Sequence, residues 1–333
     1  MKKVMKNSRP IFIVGCERSG TTMLRLILHS HANIAIPPQT KFIKKVYKRR
    51  LFFGNLSKLN NRNKILKWFS ENHNKKTKII DLDLDPSDIQ NEIIKSGNSL
   101  GSILSTIFKL YSKQNNKIRW GDKHPYYIKY LDQLFKFFPD AQVIHIIRDG
   151  RDAVASLKSM PWWKNNSIYS MLNWQEAIVS GRKAMFKYGS DQFMEMRYED
   201  IIGDPEKNIE ILCNYLEEDF SPKMLEFYKI ADTVVPDYKM AWHSDTKLHI
   251  NSKKIGRWQT DLELWESDLM NRKMEKELSL HNYEIPNSPG KTPFSKSIIY
   301  FINKLLYKIN QYSVLIMDKV ISVFYPWPLD YRK

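Results

Sequence analysis

The chain has 333 residues, of which 42% are hydrophobic and 27% are charged, and this balance excludes a disordered protein. Its 53 Lys and Arg residues outnumber 36 Asp and Glu residues, which gives a formal net charge of +17 at pH 7. Such an excess favours an anionic partner: a phosphorylated cofactor, nucleic acid, a polyanionic sugar or an acidic membrane surface.

The cysteines and the N-terminal segment indicate the expected compartment. Cys16 and Cys213 are too few for a disulfide framework, and no Cys/His cluster has the spacing of a metal site. The basic residues of segment 1–10 are not followed by an apolar stretch long enough for a secretory signal. We therefore expect a protein of the reducing cytoplasm that requires no metal.

The first predicted elements form a nucleotide-binding βα unit. Residues 11–14 are a short apolar run that ends at Gly15, which is the pattern of a buried parallel strand. A turn that contains Gly20 follows, and apolar residues then recur at helical spacing at Leu24, Ile27 and Leu28. A strand, a glycine turn and a helix in this order open many nucleotide-binding domains.

The turn itself, residues 15–22, has the Gly-x4-Gly spacing of a loop that binds an anion through backbone N–H groups. Thr21 stands where a nucleoside-triphosphatase loop has its lysine, so tight binding of a β/γ-phosphate with magnesium is not expected. Arg18 instead offers a planar guanidinium to a phosphate or sulfate. The alternative is an ordinary glycine turn between a strand and a helix.

The middle of the chain predicts an α/β fold. Residues 44–118 are rich in Lys and Asn and have a helical pattern, so we predict an inserted helical cap there. Further strands are predicted at 143–147 and 193–198, with helical patterns after them. This alternation predicts a three-layer α/β/α architecture like that of P-loop nucleoside triphosphatases, with a central, mainly parallel sheet.

A cluster of helix-breaking residues, Pro286, Pro289, Gly290 and Pro293, predicts that an α/β domain (1–290) ends before a helical tail (291–333). The tail carries an apolar stripe beside lysines 296, 304 and 308, made of Ile298, Phe301, Ile302, Leu305, Leu306 and Ile309. Charges interrupt every candidate span, so a bilayer crossing is not expected. Two interpretations stay open: a helix packed on its own domain or on a dimer mate, and a basic amphipathic helix lying on a membrane.

Two motifs together carry a family resemblance. Arg-Ser-Gly-Thr-Thr at 18–22 and Arg-Asp-Gly-Arg-Asp-Ala-Val-Ala-Ser at 148–156 resemble the sulfotransferases that use 3′-phosphoadenosine 5′-phosphosulfate (PAPS) and release adenosine 3′,5′-bisphosphate (PAP). The similarity is greatest to the bacterial and tyrosylprotein-type branch. It covers residues 10 to about 265, is weak in the cap and is absent from the tail.

The resemblance implies a set of cofactor contacts. The loop residues that would hold the 5′-phosphosulfate are Arg18, Ser19, Gly20, Thr21 and Thr22. Arg148 and Ser156 would hold the 3′-phosphate, and an arginine at the carboxyl end of a strand suits that role. The alternative for Arg148 is a plain ion pair with Asp149 or Asp152.

Three further segments match the family. Lys123, in the segment 120–125, resembles a lysine that approaches the transferring sulfuryl group; the alternative is a solvated lysine. Tyr198 resembles a tyrosine on the adenosine side, or else is a core residue. Lys254 and Arg257 lie in a segment that resembles the late loop closing over PAPS, where Trp258 would fix the loop; the alternative is solvated surface charge.

The general base is the point of departure from the family. The tyrosylprotein-type branch has Pro-x-Glu-Thr about twenty residues beyond the loop arginine, but this chain has Gln39 in place of that Glu. Gln39 cannot take up a proton and can only orient the acceptor by hydrogen bonds. His124 is the first substitute because histidine titrates near neutral pH. Asp122 and Glu17 also lie in segments that we expect to face the site.

The sequence therefore predicts a PAPS-dependent sulfotransferase that acts by in-line transfer to a hydroxyl or amine acceptor, with Arg18 and Lys123 stabilising the transferring group. The alternatives are a P-loop nucleotide kinase or NTPase, and a sulfotransferase-fold binding protein that has lost its base. The acceptor classes left open are a sugar, a lipid, a peptide tyrosine and a small natural product. Nucleic acid is not an expected partner, because no recognition module is present.

Overall fold

The computed structural model of the chain describes residues 8–72, 77–240, 244–286 and 292–332. Within these ranges five strands form, in chain order β1 to β5: Ile11–Gly15, Ile34–Ala35, Arg119–Lys123, Gln142–Ile147 and Phe193–Arg197. Helices α1 to α9 are Thr21–His29, Phe42–Lys48, Arg50–Phe53, Leu59–Asn72, Pro86–Lys95, Leu100–Gln114, Leu131–Phe137, Gly150–Lys158 and Ser167–Tyr188. Helices α10 to α17 are Tyr198–Gly203, Pro205–Leu216, Ala231–Val234, Asp237–Met240, Trp258–Asp261, Leu264–Lys273, Glu275–Leu280 and Phe294–Val323. Segments of 3-10 helix are Ile79–Leu82, Pro125–Tyr130, Pro222–Ile230 and Ser244–Lys247.

The strands make one parallel sheet in the order β2-β3-β1-β4-β5. β1 lies at its centre, with Ile11 opposite Gly121 of β3 on one side and Gln142 of β4 on the other. Because the strands are parallel, the loops that follow β1, β3 and β4 meet at the same edge of the sheet. The predicted parallel sheet is confirmed, and so are its strands β1, β4 and β5; Tyr198, however, begins α10 instead of continuing β5.

Two strands, β2 and β3, are not predicted by the sequence pattern. All five residues of β3 are buried although Arg119, Asp122 and Lys123 are charged. The Arg119 guanidinium pairs with Glu218 (3.1 Å) and donates to the carbonyl of Leu216 (2.6 Å), so its charge is satisfied inside the protein. A strand whose charges find buried partners lacks the apolar pattern by which strands are recognised.

The sheet is covered on both faces, which confirms the three-layer α/β/α architecture. Phe12 of β1 lies in the hydrophobic cluster on one face, with Phe108 of α6 and Trp174 of α9. Ile13, the next residue, lies in the cluster on the other face, with Leu24 of α1. This division follows from the alternation of side chains along a strand.

Helices α2 to α6 occupy most of the range predicted as a cap. They share the core of the sheet, because Phe42 of α2 and Phe108 of α6 stack at 5.1 Å and Phe108 stacks on Trp120 of β3 at the same distance. The domain division at residue 290 stays a prediction, and Pro289 and Gly290 lie outside the described residues.

The tail forms α17, a single helix of 30 residues. Its contacts with the domain use the face that carries Tyr300 and Tyr307, which are buried. The predicted apolar stripe points the other way and is exposed, so the interpretation in which the stripe packs on the chain's own domain is wrong. Across the described ranges, no helix combines the length and apolarity that a bilayer crossing requires.

Candidate active site

The loop between β1 and α1 has the backbone conformation of an anion site. Arg18 and Gly20 have φ angles of 68° and 93°, in the left-handed region. A Cβ atom at Gly20 would lie 2.6 Å from Cδ2 of Tyr198, so only glycine fits there. Gly20 is also the N-cap of α1 and supplies no side chain to the free amides of its first turn. Left-handed turns before an uncapped helix present N–H groups to an anion.

A cavity of about 940 Å³ opens beside this loop at the carboxyl edge of the sheet. That volume suits a nucleotide-sized ligand. Glu17 is the one carboxylate among the described residues that line it. The lining is otherwise strongly basic, with Arg18, Arg25, Lys41, Lys44, Lys45, Lys48, Lys78, Lys123, Arg148, Lys239, Lys254 and Arg257. The wall therefore attracts a multiply charged anion.

Arg148, at the end of β4, connects the loops around the cavity. Its Nη1 donates to the carbonyl of Arg18 (3.1 Å), its Nη2 donates to the carbonyl of Lys254, and its guanidinium lies 4.7 Å from the Tyr198 ring centre. Its Nε is buried without a hydrogen-bond partner, and so is the hydroxyl of Ser19. Buried donors normally have acceptors, so these two fit an anionic ligand that supplies them.

The loop at 254–258 is held by Asp152, for which the sequence suggested only an ion pair with Arg148. Its carboxylate accepts hydrogen bonds from the backbone N–H groups of Gly256 (2.8 Å) and Trp258 (2.9 Å). It also pairs with Arg148 at 3.6 Å. The ion pair considered as the alternative for Arg148 is therefore present, but the same carboxylate also binds the loop. The Arg151 guanidinium lies 4.2 Å from the Trp258 ring centre, which fixes Trp258 on α8. The only sequence signal for this role is the position of Asp152 four residues after Arg148.

Lys254, Arg257 and Tyr198 all line the cavity. The Nε of Arg257 donates to Asp261 (2.7 Å) in an i,i+4 pair near the surface. Tyr198 packs against Gly20 in the loop after β1 and is 8% exposed, so it is both a core residue and a lining residue.

Lys123, the last residue of β3, lies at the centre of the site. It is buried, and its Nζ donates to Oε1 of Gln39 (2.9 Å) and contacts Oγ1 of Thr22 (3.3 Å). The alternative of a solvated lysine is therefore wrong. Burial, with nearby cations, lowers the pKa of Lys123 well below its usual value. An anion placed against Nζ would restore the charged form.

His124 does not have the geometry of a base. Its Nδ1 accepts a hydrogen bond from the backbone N–H of Tyr126 (3.2 Å), so the neutral ring carries its proton on Nε2. Burial, with Lys123 and other lysines nearby, lowers its pKa to about 3. The ring in this form is a hydrogen-bond donor at Nε2 and a very weak proton acceptor.

Asp122 lies behind the site. It is fully buried, and its Oδ2 accepts hydrogen bonds from Thr40 and Tyr127, each at 2.9 Å. Burial raises its pKa to about 6. Asp122 is absent from the cavity lining, so its role is to position the segment that carries Gln39.

Glu17 lines the cavity and is half-buried. Its Oε2 accepts a hydrogen bond from Nδ2 of Asn173 on α9 (2.8 Å), and Oδ1 of the same amide accepts from Lys129 (2.7 Å). Asn173 thus fixes the carboxylate from a distant helix, and no sequence signal pointed to it.

Comparisons with known proteins identify the family of the chain. Residues 10–222 match the family model described as the sulfotransferase family. A protein-tyrosine sulfotransferase of Drosophila melanogaster is 23% identical over 74% of this chain and 46% of its own length. Protein-tyrosine sulfotransferase 1 of Danio rerio is 25% identical over 62% of this chain and 52% of its own length, so the chain spans about half of each relative.

The fold also matches a solved structure. The sulfotransferase domain of the Synechococcus PCC 7002 olefin synthase superposes with a TM-score of 0.60 at 19% identity. The match covers 84% of this chain and 97% of that domain, which shows a shared fold.

Proposed function

Because this chain belongs to the sulfotransferase family, we propose that it transfers a sulfuryl group from PAPS to a hydroxyl or amine acceptor. One observation supports the proposal above others: the two buried donors without a partner, Ser19 Oγ and Arg148 Nε, lie on the two loops assigned to opposite ends of PAPS. Family membership gives the reaction class, and these donors support a ligand with separate anionic groups.

The residues that would hold PAPS form two groups. The loop after β1 presents Arg18, Ser19 and the amides at the start of α1 to the 5′-phosphosulfate. Arg148 and Ser156 would take the 3′-phosphate, with Lys254 and Arg257 closing from the late loop. When bound, PAPS supplies the sulfuryl group and leaves as PAP.

Arg18 and Lys123 stabilise the negative charge on the sulfuryl group during its transfer. In-line transfer of this kind depends mainly on positioning and on stabilising charge on the equatorial and leaving oxygens, by analogy with phosphoryl transfer. Lys123 is buried and fixed by Gln39 and Thr22, so little reorganisation is needed.

We assign the base to Glu17 and a donor role to His124. Glu17 is the one lining carboxylate among the described residues, and Asn173 fixes it. His124 holds its proton on Nε2 and offers it to an oxygen of the reacting groups. Gln39, whose Oε1 accepts from Lys123, orients the acceptor through its amide.

The acceptor classes proposed from the sequence remain a sugar, a lipid, a peptide tyrosine and a small natural product. The printed names of the fly and zebrafish relatives indicate protein tyrosine as their acceptor. One wall of the cavity carries Lys41, Lys44, Lys45 and Lys48 at helical spacing. This wall favours, within each class, an acceptor that bears negative charge.

The proposal is tested by ligand binding and then by turnover. Calorimetry should give PAP binding by the whole chain without magnesium, and labelled PAPS should pass its sulfate to components of a mixed acceptor extract. Arg148→Ala should weaken PAP binding. Its matched control is Arg272→Ala, which removes a partly exposed arginine paired with Asp268 outside the cavity and should bind PAP normally. Binding of ATP with magnesium in place of PAP would support a kinase or NTPase. PAP binding without any transfer would support a binding protein.

A further inference from the structure

Helix α17 turns its apolar face to the outside of the molecule. Phe301 is 59% exposed and Leu305 61% exposed, and neither is an isolated case. The exposed apolar side chains run the length of the helix: Phe294, Ile298, Ile299, Phe301, Ile302, Leu305, Leu306, Ile309, Leu315, Ile316, Met317, Val320 and Val323. A continuous apolar surface of this length marks an interaction site.

The opposite face of the helix is polar and fixes this orientation. Asp318 pairs with Arg50 (2.9 Å) and accepts from the Tyr47 hydroxyl (3.1 Å), which ties the second half of the helix to α2 and α3. Tyr307 hydrogen-bonds with Glu176 and Lys129, which ties the first half to the body. Ordinary surface helices bury the apolar face and expose the polar one, and here the two are exchanged.

Charge distinguishes the possible occupants of this face. The helix carries four lysines, Lys296, Lys304, Lys308 and Lys319, and a single acid, Asp318. Lys308 and Lys319 are exposed beside the apolar stripe, whereas Lys296 and Lys304 lie on the body side, over the rings of Trp265 and Tyr300. Because Asp318 is used in the contact with Arg50, the exposed charge on the helix is positive. The whole chain has a net charge of +17, so a second copy would bring the same sign of charge to the contact.

The width of the apolar stripe also argues against a second copy of the chain as its partner. A helix pair buries about two positions in every seven, and Ile298, Ile302, Leu305 and Ile309 have that spacing. The exposed apolar surface continues on both sides of this line, at Phe301 and at Leu306 among others. A broad stripe suits a flat apolar surface better than the narrow seam of a helix pair.

We propose that α17 binds an anionic lipid surface, with its axis in the plane of the interface and with Lys308 and Lys319 at the headgroups. The helix is about 45 Å long at 1.5 Å per residue, so it would hold the body on the membrane along much of one side. This inference rests on α17 alone and does not depend on sulfuryl transfer.

The test is vesicle flotation of the whole chain. We expect the chain to float with phosphatidylcholine vesicles that contain phosphatidylserine, and removal of phosphatidylserine should weaken binding about tenfold. Ile302→Glu/Leu305→Glu/Ile309→Glu should weaken it by about a hundredfold or more. The matched control is Phe186→Glu on α9, which adds charge at an apolar residue that is 88% exposed, and it should bind as the unchanged chain does.

Two further measurements keep the test decisive. The three substituted side chains point outward, so the thermal midpoint should be unchanged, and this separates lost binding from lost folding. Absence of flotation by the unchanged chain, or equal flotation of the triple variant, overturns the proposal. A dimer that the triple variant converts to a monomer, without vesicle binding, would show that a second copy covers the face instead.

Discussion

The Arg18 guanidinium donates a hydrogen bond from Nε to the hydroxyl of Ser156 (2.9 Å), although 138 residues separate them. The bond joins the loop after β1 to helix α8 after β4. The sequence assigned these two residues to opposite ends of the cofactor, and the fold places them in contact. The two proposed anion sites are therefore joined before any ligand binds, and a substitution in one should alter binding at the other.

We expect Arg18→Ala to weaken PAP binding by about 1.5–3 kcal/mol, because it removes charge-assisted hydrogen bonds. Ser156→Ala should cost about 1 kcal/mol. The double variant should lose less than the sum, because the two side chains share a hydrogen bond. Calorimetry with PAP measures all three losses. Strictly additive losses would show that the two sites are independent, and unchanged affinity would remove Arg18 from the site.

Asp152→Asn should loosen the late loop without removing any group proposed to touch the cofactor. An amide keeps one acceptor oxygen but puts an N–H₂ group against the second backbone N–H, at Gly256 or Trp258. Hydrogen exchange at these two amides should become faster, and PAP should bind about tenfold more weakly. Asp261→Asn is the control, since it alters the pair with Arg257 and the hydrogen bond from Thr260 but no bond to the amides of Gly256 and Trp258. Slow exchange in Asp152→Asn would contradict the positioning role.

Glu17→Gln should lower kcat by about 10²–10³-fold with PAP affinity unchanged, because the amide still accepts from Asn173 but takes no proton. His124→Asn keeps an acceptor for the Tyr126 N–H and should lose less activity. Turnover of labelled PAPS with any competent acceptor measures both. A larger loss in His124→Asn than in Glu17→Gln would return the base to the histidine.

Binding of PAPS should draw a proton onto Lys123. Burial keeps the pKa of Lys123 low before binding, and the anionic sulfuryl group raises it, so proton uptake occurs at a pH between the two values. Calorimetry at several pH values, each in two buffers of different ionisation enthalpy, measures the uptake. Lys123→Met should reduce the uptake without abolishing it, because burial lowers the pKa of Lys44, another lining lysine, to about 7 and leaves it able to take up a proton as well. Arg272→Ala, outside the cavity, should keep the uptake in full. Binding heats that do not depend on the buffer would contradict the prediction.

Asp122 makes the stability of the protein depend on pH. Its pKa is about 6 in the folded chain and near 4 in the unfolded chain, so the folded chain holds the extra proton between these values. The stabilisation is present below pH 4 and is lost as pH rises through 6, at a cost of about 3 kcal/mol. Urea unfolding across this window should show a smaller decline for Asp122→Asn. Asp88→Asn, at an exposed site on α5, is the control and should keep the full decline.

The sequence alone determined the parts of the protein that depend on neighbours in the chain. The apolar run at 11–14, the glycine turn at Gly20 and the arginine at the end of β4 are local patterns, and each lies where it was predicted. A short buried strand and a left-handed turn follow from residue size and backbone freedom within a few positions. The parallel sheet then followed from the alternation of strands with helices.

Tertiary structure alone decided the contacts that use partners far apart in the chain. Strand β3 is recognisable only once Glu218 neutralises Arg119, and the assignment of Glu17 depends on Asn173 from α9. The periodicity of α17 showed that the helix has two faces but not which one is outside. Asp318 and Tyr307 pair with Arg50 and Glu176 on other helices, so the contact with the body satisfies the polar face and leaves the apolar face exposed.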